Sequence, residues 1–159
     1  MCRFGYLVIA LSLIIGLILM ILPIPDWAQS YRPHWIALIL VYWSMALPKQ
    51  VGLWFALITG LLVDTIQSTL LGQNALALVI IIYLNLIFYQ RIRVLSLVQQ
   101  SLYVFGLLLI CQVMIVWVEG IMGRPTSMAG FLGAPVAGML IWPWMFIILR
   151  DIRRKAVMD

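Results

Sequence analysis

Few side chains in this chain can do chemistry: one histidine, His34, two cysteines, Cys2 and Cys111, and five carboxylates. Only one carboxylate, Asp64, lies deep in an apolar run, as the last residue of Gly60, Leu61, Leu62, Val63, Asp64. A carboxylate at mid-membrane costs about 2.5–3.5 kcal/mol on insertion scales, so its presence implies a role. Three roles compete. Asp64 could be a protonatable ion-coupling group. It could accept hydrogen bonds from Thr59, Thr65, Gln67, Asn74 or Asn85 and lock a bundle of helices. It could cap a helix break or contact a partner or ligand. Locking is the preferred reading, because transport chemistry needs several polar groups around one cavity and this run supplies few.

Catalysis has little to draw on. His34 stands between Pro33 and Trp35 at the edge of an apolar segment, where a lone imidazole reads as an interfacial polar residue rather than a base. A metal site needs three or four His, Cys or carboxylate ligands, and none cluster along the chain. Ser12 and Ser44 have no His or Lys beside them to activate a hydroxyl. Intramembrane aspartyl chemistry needs two aspartates at depth, and Walker-type phosphate loops are absent. The cysteines have no spacing that suggests a disulfide framework. The expectation is a protein without catalytic residues, cofactor or metal.

The elements that must position these residues follow from composition. Of 159 residues, 65% are hydrophobic and 9% charged, and the mean hydropathy is +1.14. Soluble domains are about half apolar and about a quarter charged, so the expected solvent is a bilayer. Six apolar segments stand out, at about 4–22, 35–47, 51–71, 74–89, 95–118 and 128–149. Each is continuously apolar, which excludes the alternating pattern of an outer-membrane barrel. A polypeptide in lipid must close its backbone hydrogen bonds within each span. The expected fold is all-α, a polytopic six-helix transmembrane bundle forming a single integral membrane domain over 1–159. The second segment is short at ~1.5 Å per residue. It is a partial span, or it extends back through His34 and Pro33. The first segment resembles a signal peptide in its Arg3 start and the small-x-small triplet Ala28, Gln29, Ser30. Its length and the intervening Pro23 and Pro25 favour a retained helix.

Charge sets orientation. With six spans, Arg3, Lys49, Arg91, Arg93, Arg150, Arg153, Arg154 and Lys155 share one side, against Arg32 and Arg124 on the other. The positive-inside bias places both termini in the cytoplasm. No basic run interleaves with an aromatic platform, so the net charge of +5 does not point to nucleic acid. Trp27, Tyr31, Trp35, Tyr42, Trp43, Tyr89, Trp117, Trp142 and Trp144 fall mostly near segment ends, as interfacial anchors do. In the last segment Ala129, Gly133 and Ala137 form one small-residue stripe and Gly130, Ala134 and Gly138 another. Such stripes let helices meet closely, within the bundle or against a partner's helix. Pro135, and Pro143 between Trp142 and Trp144, are expected to kink this helix. A small-molecule-binding subunit of a transporter is the alternative class. It would need a polar pocket opening outward, for which Gln67, Gln73, Asn74, Asn85, Gln112 and Glu119 are the available side chains.

A longer pattern runs through the chain. Arg32, Pro33 and Trp35 lead into Tyr42, Trp43, Ala46, Leu47 and Pro48; Gly60, Asp64, Leu71, Gly72, Ala75 and Leu76 follow; Trp142, Pro143, Trp144, Phe146, Leu149 and Arg150 close it. In order, spacing and length this resembles the MreD family of rod shape-determining proteins of Gram-negative bacteria, over nearly the whole chain. The segment at 95–118 and the loop after it carry least of the likeness. The resemblance implies a non-enzymatic inner-membrane component of the cell-elongation machinery. It implies association with an MreC-like single-span protein. Through that protein it implies a link to an MreB-like filament and a RodA-like glycosyltransferase with its transpeptidase. It also implies a likeness to the six-helix substrate-binding subunits of energy-coupling-factor transporters. On this reading Arg32, Pro33, Trp35, Tyr42, Trp43, Gly60, Asp64, Gly72, Gly133, Ala137, Trp142, Pro143 and Trp144 are candidate structural or partner-contacting residues. The terminal bases Arg150, Arg153, Arg154 and Lys155 are membrane anchors first, and a site for anionic lipid or an acidic partner second.

Overall fold

Prolines and glycines divide the chain where its apolar runs stop. The computed structural model describes residues 2–29, 31–124 and 128–158. Ser30 of the cleavage-like triplet and residues 125–127 lie outside the described residues. Helix α1 (Cys2–Ile21) ends ahead of Pro23, and α2 (Asp26–Gln29) is a single turn that composition did not announce. Helix α3 (Trp35–Ala46) starts at Trp35 and does not extend back through His34. It stops at Leu47 because the ring of Pro48 keeps the preceding residue out of helical space. Helix α4 (Leu53–Gln67) ends earlier than expected, at Ser68 in the left-handed region with φ 54°. Helix α5 (Gln73–Ile92) and α6 (Leu97–Ile121) follow, the latter opened by a reciprocal cap between Ser96 and Gln99. Helix α7 (Met128–Met158) runs through Pro135 and Pro143 and continues past 149, where the apolar pattern ends. Each proline lacks an N–H, so a carbonyl one turn back loses its partner, yet the helix persists.

The centre of the molecule is the shortest long helix. All residues of α3 from Ile36 to Met45 are buried. A helix apolar on every side belongs inside a bundle rather than on its rim. Its 12 residues span ~18 Å, less than the ~30 Å of a hydrocarbon core. It touches α1, α5, α6 and α7, while α4 packs on α5 and α6 on α7. Polar bonds tie this core. The Trp43 indole N–H donates to Ser12 Oγ of α1 at 2.9 Å. Asn85 of α5 donates to the Val41 carbonyl at 3.2 Å and to Ser44 Oγ.

The aromatic residues depart from expectation. Tyr42, Trp43 and Trp142 are in the core rather than at an interface, with 2%, 1% and 0% exposure. Tyr42 meets Trp43 and Phe146 edge-on at 5.5 Å, a geometry that suits the ring quadrupoles. Trp27, Trp117 and Trp144 do lie on the surface. Helices α5, α6 and the stretch Phe131–Ala156 of α7 are long and apolar enough to cross a membrane, and three shorter apolar helices accompany them. The chain is a multi-pass membrane protein.

Small residues set the α6–α7 distance. A Cβ on Gly138 would lie 2.3 Å from Leu108 Cδ1 of α6, whereas one on Gly106 would meet nothing within 4 Å. The side chains of Ala129 and Gly130, at the start of the two stripes, lie outside the described residues. Gly138→Val is expected to destabilise the detergent-solubilised protein by about 1–3 kcal/mol through overpacking. Gly106→Ala should leave it as stable or slightly more so. Thermal unfolding followed by tryptophan fluorescence checks both.

Candidate functional site

The α4–α5 turn joins three residues that the sequence pattern set apart. Gly60 and Asp64 lie one helical turn apart on α4, facing the start of α5. A Cβ on Gly60 would stand 2.3 Å from Ala75 Cα, so the two backbones touch there. Ser68 and Gly72, with φ 54° and 100°, turn the chain back between the helices. The first N–H groups of α5 have no intrahelical acceptor. Asp64 supplies one. Its Oδ2 accepts from Gly72 N–H at 2.9 Å and Ala75 N–H at 3.4 Å. Its Oδ1 accepts from Asn74 N–H at 3.0 Å, Asn74 Nδ2 at 2.8 Å and Thr69 Oγ1 at 2.9 Å. The side chain has 0% exposure, and a carboxylate at a helix N-terminus is also favoured by the helix dipole. Of the donors considered from sequence, Asn74 bonds it directly and also donates to Gln67 Oε1 at 3.3 Å. Thr59 and Thr65 instead bond carbonyls of their own helix, Phe55 and Leu61, and Asn85 serves α3.

Beside this turn a cavity of about 250 Å³ opens among α3, α4, α5, α6 and α7. Arg32, Pro33, His34 and Trp35 form its wall on one side, and Gln67, Thr69, Gln73 and Asn74 on another. Gln112 and Glu119 contribute from α6. Five of the six polar side chains singled out for such a pocket therefore meet in it, and Asn85 does not. His34 is half-buried in this wall, and its Nε2 donates to Gln112 Oε1 at 2.9 Å. Burial holds its pKa below the ordinary 6.5, and the Gln112 bond opposes this. Nothing in the local sequence around His34 signals a partner 78 residues away. Arg32 donates from Nη2 to the Leu22 carbonyl at 3.3 Å, while its buried Nε has no partner.

The other candidate residues lie elsewhere. Tyr42, with Phe146, lines a second cavity of about 200 Å³ that includes Arg93, Gln100 and Arg153. Trp43 and Trp142 are core. Trp144 is 74% exposed, beside a half-buried Pro143 on α7; Gly133 is buried and Ala137 half-buried on the same helix. Among the described residues no three His, Cys, Asp or Glu come together as a metal-binding group.

Comparison with known proteins gives a consistent picture. The family model for rod shape-determining protein MreD matches residues 1–152. The chain is 36% identical over 143 residues to the rod shape-determining protein MreD of Haemophilus influenzae, covering 89% of this chain and 88% of that protein. No solved structure matches.

Two outcomes follow from the geometry. Asp64→Leu should cost about 1–3 kcal/mol for each α5 donor left bare, and Asp64→Asn, which keeps one acceptor oxygen, should fall between it and the native protein; melting temperatures in one detergent rank the three. Folding lowers the pKa of His34 from its ordinary 6.5, so around and below that value the unfolded chain binds more protons than the folded one. Its contribution is complete above that value and is withdrawn as the pH falls below it. A melting series from pH 8 to 5 should therefore decline, and His34→Gln should flatten the decline.

Proposed function

This chain belongs to the MreD family of rod shape-determining proteins, which are not enzymes, and from that membership we propose a scaffold of the cell-elongation machinery, serving lateral peptidoglycan synthesis in the bacterial inner membrane. The observation that carries this reading is the family match over residues 1–152. The chain works as one integral domain over 1–159, with α1 and α3 to α7 as six spans and both termini cytoplasmic. Two observations support this topology. Gly5 near the start of α1 lies beside Gln50 of the α3–α4 turn. Arg93 after α5 and Arg153 of α7 line one cavity with Tyr42 and Met45 near the end of α3. These elements gather at one end of the bundle, with eight of the ten basic residues in or next to them. Exposed Arg150, Arg154 and Lys155 then sit at the level of anionic headgroups.

The partner is an MreC-like single-span protein, and through it the scaffold reaches an MreB-like filament and a RodA-like glycosyltransferase with its transpeptidase. The helix of that partner docks along α1 and α7. Two faces support this placement. Leu7, Leu11, Ile14 and Ile18 make an exposed helical stripe on α1, and Val136, Leu140 and Trp144 make one on α7. Helix α1 contacts α7 directly. Ala134 and Gly138 are already buried inside the bundle, so the small-residue stripe that contains them serves the bundle. A small-molecule-binding transporter subunit is the second reading. The polar cavity speaks for it, and family membership against it.

Co-expression with the MreC protein of the same bacterium tests the scaffold. Near-stoichiometric co-purification is expected, with photo-crosslinking from positions 11 and 140 but not from position 58 on α4. Crosslinks confined to position 58 would move the docking face. Recovery of an ATPase pair with a membrane coupling subunit, in place of MreC, would overturn the scaffold in favour of transport.

A further inference from the structure

The cavity beside the α4–α5 turn holds polar groups that the bundle does not use. Gln73 is only 6% exposed and lines the cavity, yet its amide makes no hydrogen bond to any described residue. Gln112, 7% exposed, commits its oxygen to His34 and leaves its N–H groups for the cavity. The buried Nε of Arg32, in the same wall, has no partner. Buried polar groups are ordinarily hydrogen-bonded, and each exception calls for an occupant or a function. Here one such atom, Arg32 Nε, stands in the wall, and the side chains of Arg32, Gln73 and Gln112, from the α2–α3 connection, α5 and α6, line one space.

That space is also amphipathic. Ile36, Leu78 and Ile115 line it together with the polar groups. Water would satisfy the amides but would gain nothing from the apolar wall, whereas organic ligands use both. At about 250 Å³ the cavity falls just below the ~300 to 1,000 Å³ of drug-sized ligand pockets, which limits an occupant to a small solute. Its charge is balanced: the Arg32 guanidinium and the Glu119 carboxylate both line it, and His34 is neutral. A multiply charged anion would meet a carboxylate in the wall. A single carboxylate finds a guanidinium and amide N–H groups, the donor set that binds it well.

We infer that this cavity is a binding site for a small solute of amino-acid size, with one carboxylate held by Arg32 and Gln112 and a second polar group held by the Gln73 amide. The inference is independent of the scaffold reading, because it needs neither the partner nor the membrane orientation.

The test is thermal unfolding of the full chain in detergent with a panel of probes. These are the standard L-amino acids and D-alanine, then inorganic phosphate and phosphoethanolamine, and finally nanodiscs made with phosphatidylethanolamine or phosphatidylglycerol. At least one amino acid should raise the melting temperature in a saturable way. Gln73→Leu removes the amide that holds the second polar group, and it should weaken that probe at least tenfold, as should Arg32→Gln. Equilibrium dialysis with the radiolabelled probe gives the same affinities if either variant unfolds at a lower temperature. A panel that leaves the melting temperature unmoved overturns the proposal. So does a shift with phosphate or phosphoethanolamine alone, or one that depends only on the nanodisc lipid, which would assign the cavity to a phosphate or a headgroup. Equal affinity in both variants would place the solute elsewhere and overturn it too.

Discussion

A buried carboxylate holds the first N–H groups of a helix, and the arrangement of this bundle depends on it. In a bilayer no water reaches the core, so every polar group must find a partner inside the protein. Asp64 and the start of α5 resolve each other's need. The carboxylate has 0% exposure and collects donors from the turn and from α5. This fixes where α5 begins relative to α4, which Gly60 then allows to lie backbone to backbone. Helix α5 in turn carries Asn85 to the carbonyl of Val41, so the position of α4 is passed to the central helix through α5.

The same economy governs the core. Helix α3 is too short to cross a bilayer alone, and its burial from Ile36 to Met45 means that other helices, rather than lipid, surround it. Its serine, its asparagine partner and its tryptophan make the directional bonds that apolar packing lacks in lipid. The cost of that arrangement is a short helix of 12 residues. Arg32, His34 and Trp35 sit at its start, where they line the cavity.

Much of this was legible in the sequence, and the reasons differ by level. Composition and continuous apolar runs pointed to the all-α class and to six apolar helices, of which three are long enough to cross a membrane and three are shorter. Proline and glycine marked most boundaries. The grouping of Gly60, Asp64 and Gly72 was visible as a pattern, because a charged residue in an apolar run has few innocent explanations. The identity of the donors was not visible, since backbone N–H groups leave no trace in side-chain type. The pocket-lining amides were named correctly save for Asn85, which shares their chemistry but lies one helix depth too far in. Trp142 and Tyr42 were misplaced because aromatic residues near segment ends suit both an interface and a core. The end of α7 was misjudged because loss of hydropathy was read as loss of helix, whereas the backbone continues once the chain leaves the apolar layer.

That continuation gives the molecule a lever. Helix α7 has 31 residues, roughly 46 Å at 1.5 Å per residue. Pro143 sits near its middle, where a hydrogen bond is missing and bending is easiest. The arm beyond it, out to Met158, is roughly 22 Å long, so a bend of about 10° swings the tip by roughly 4 Å. Residues Arg150 to Lys155 ride on that arm. Any contact that alters the packing of α7 against α6 before Pro143 therefore arrives at the far end of the helix as a displacement of charge, without a single helix having to slide.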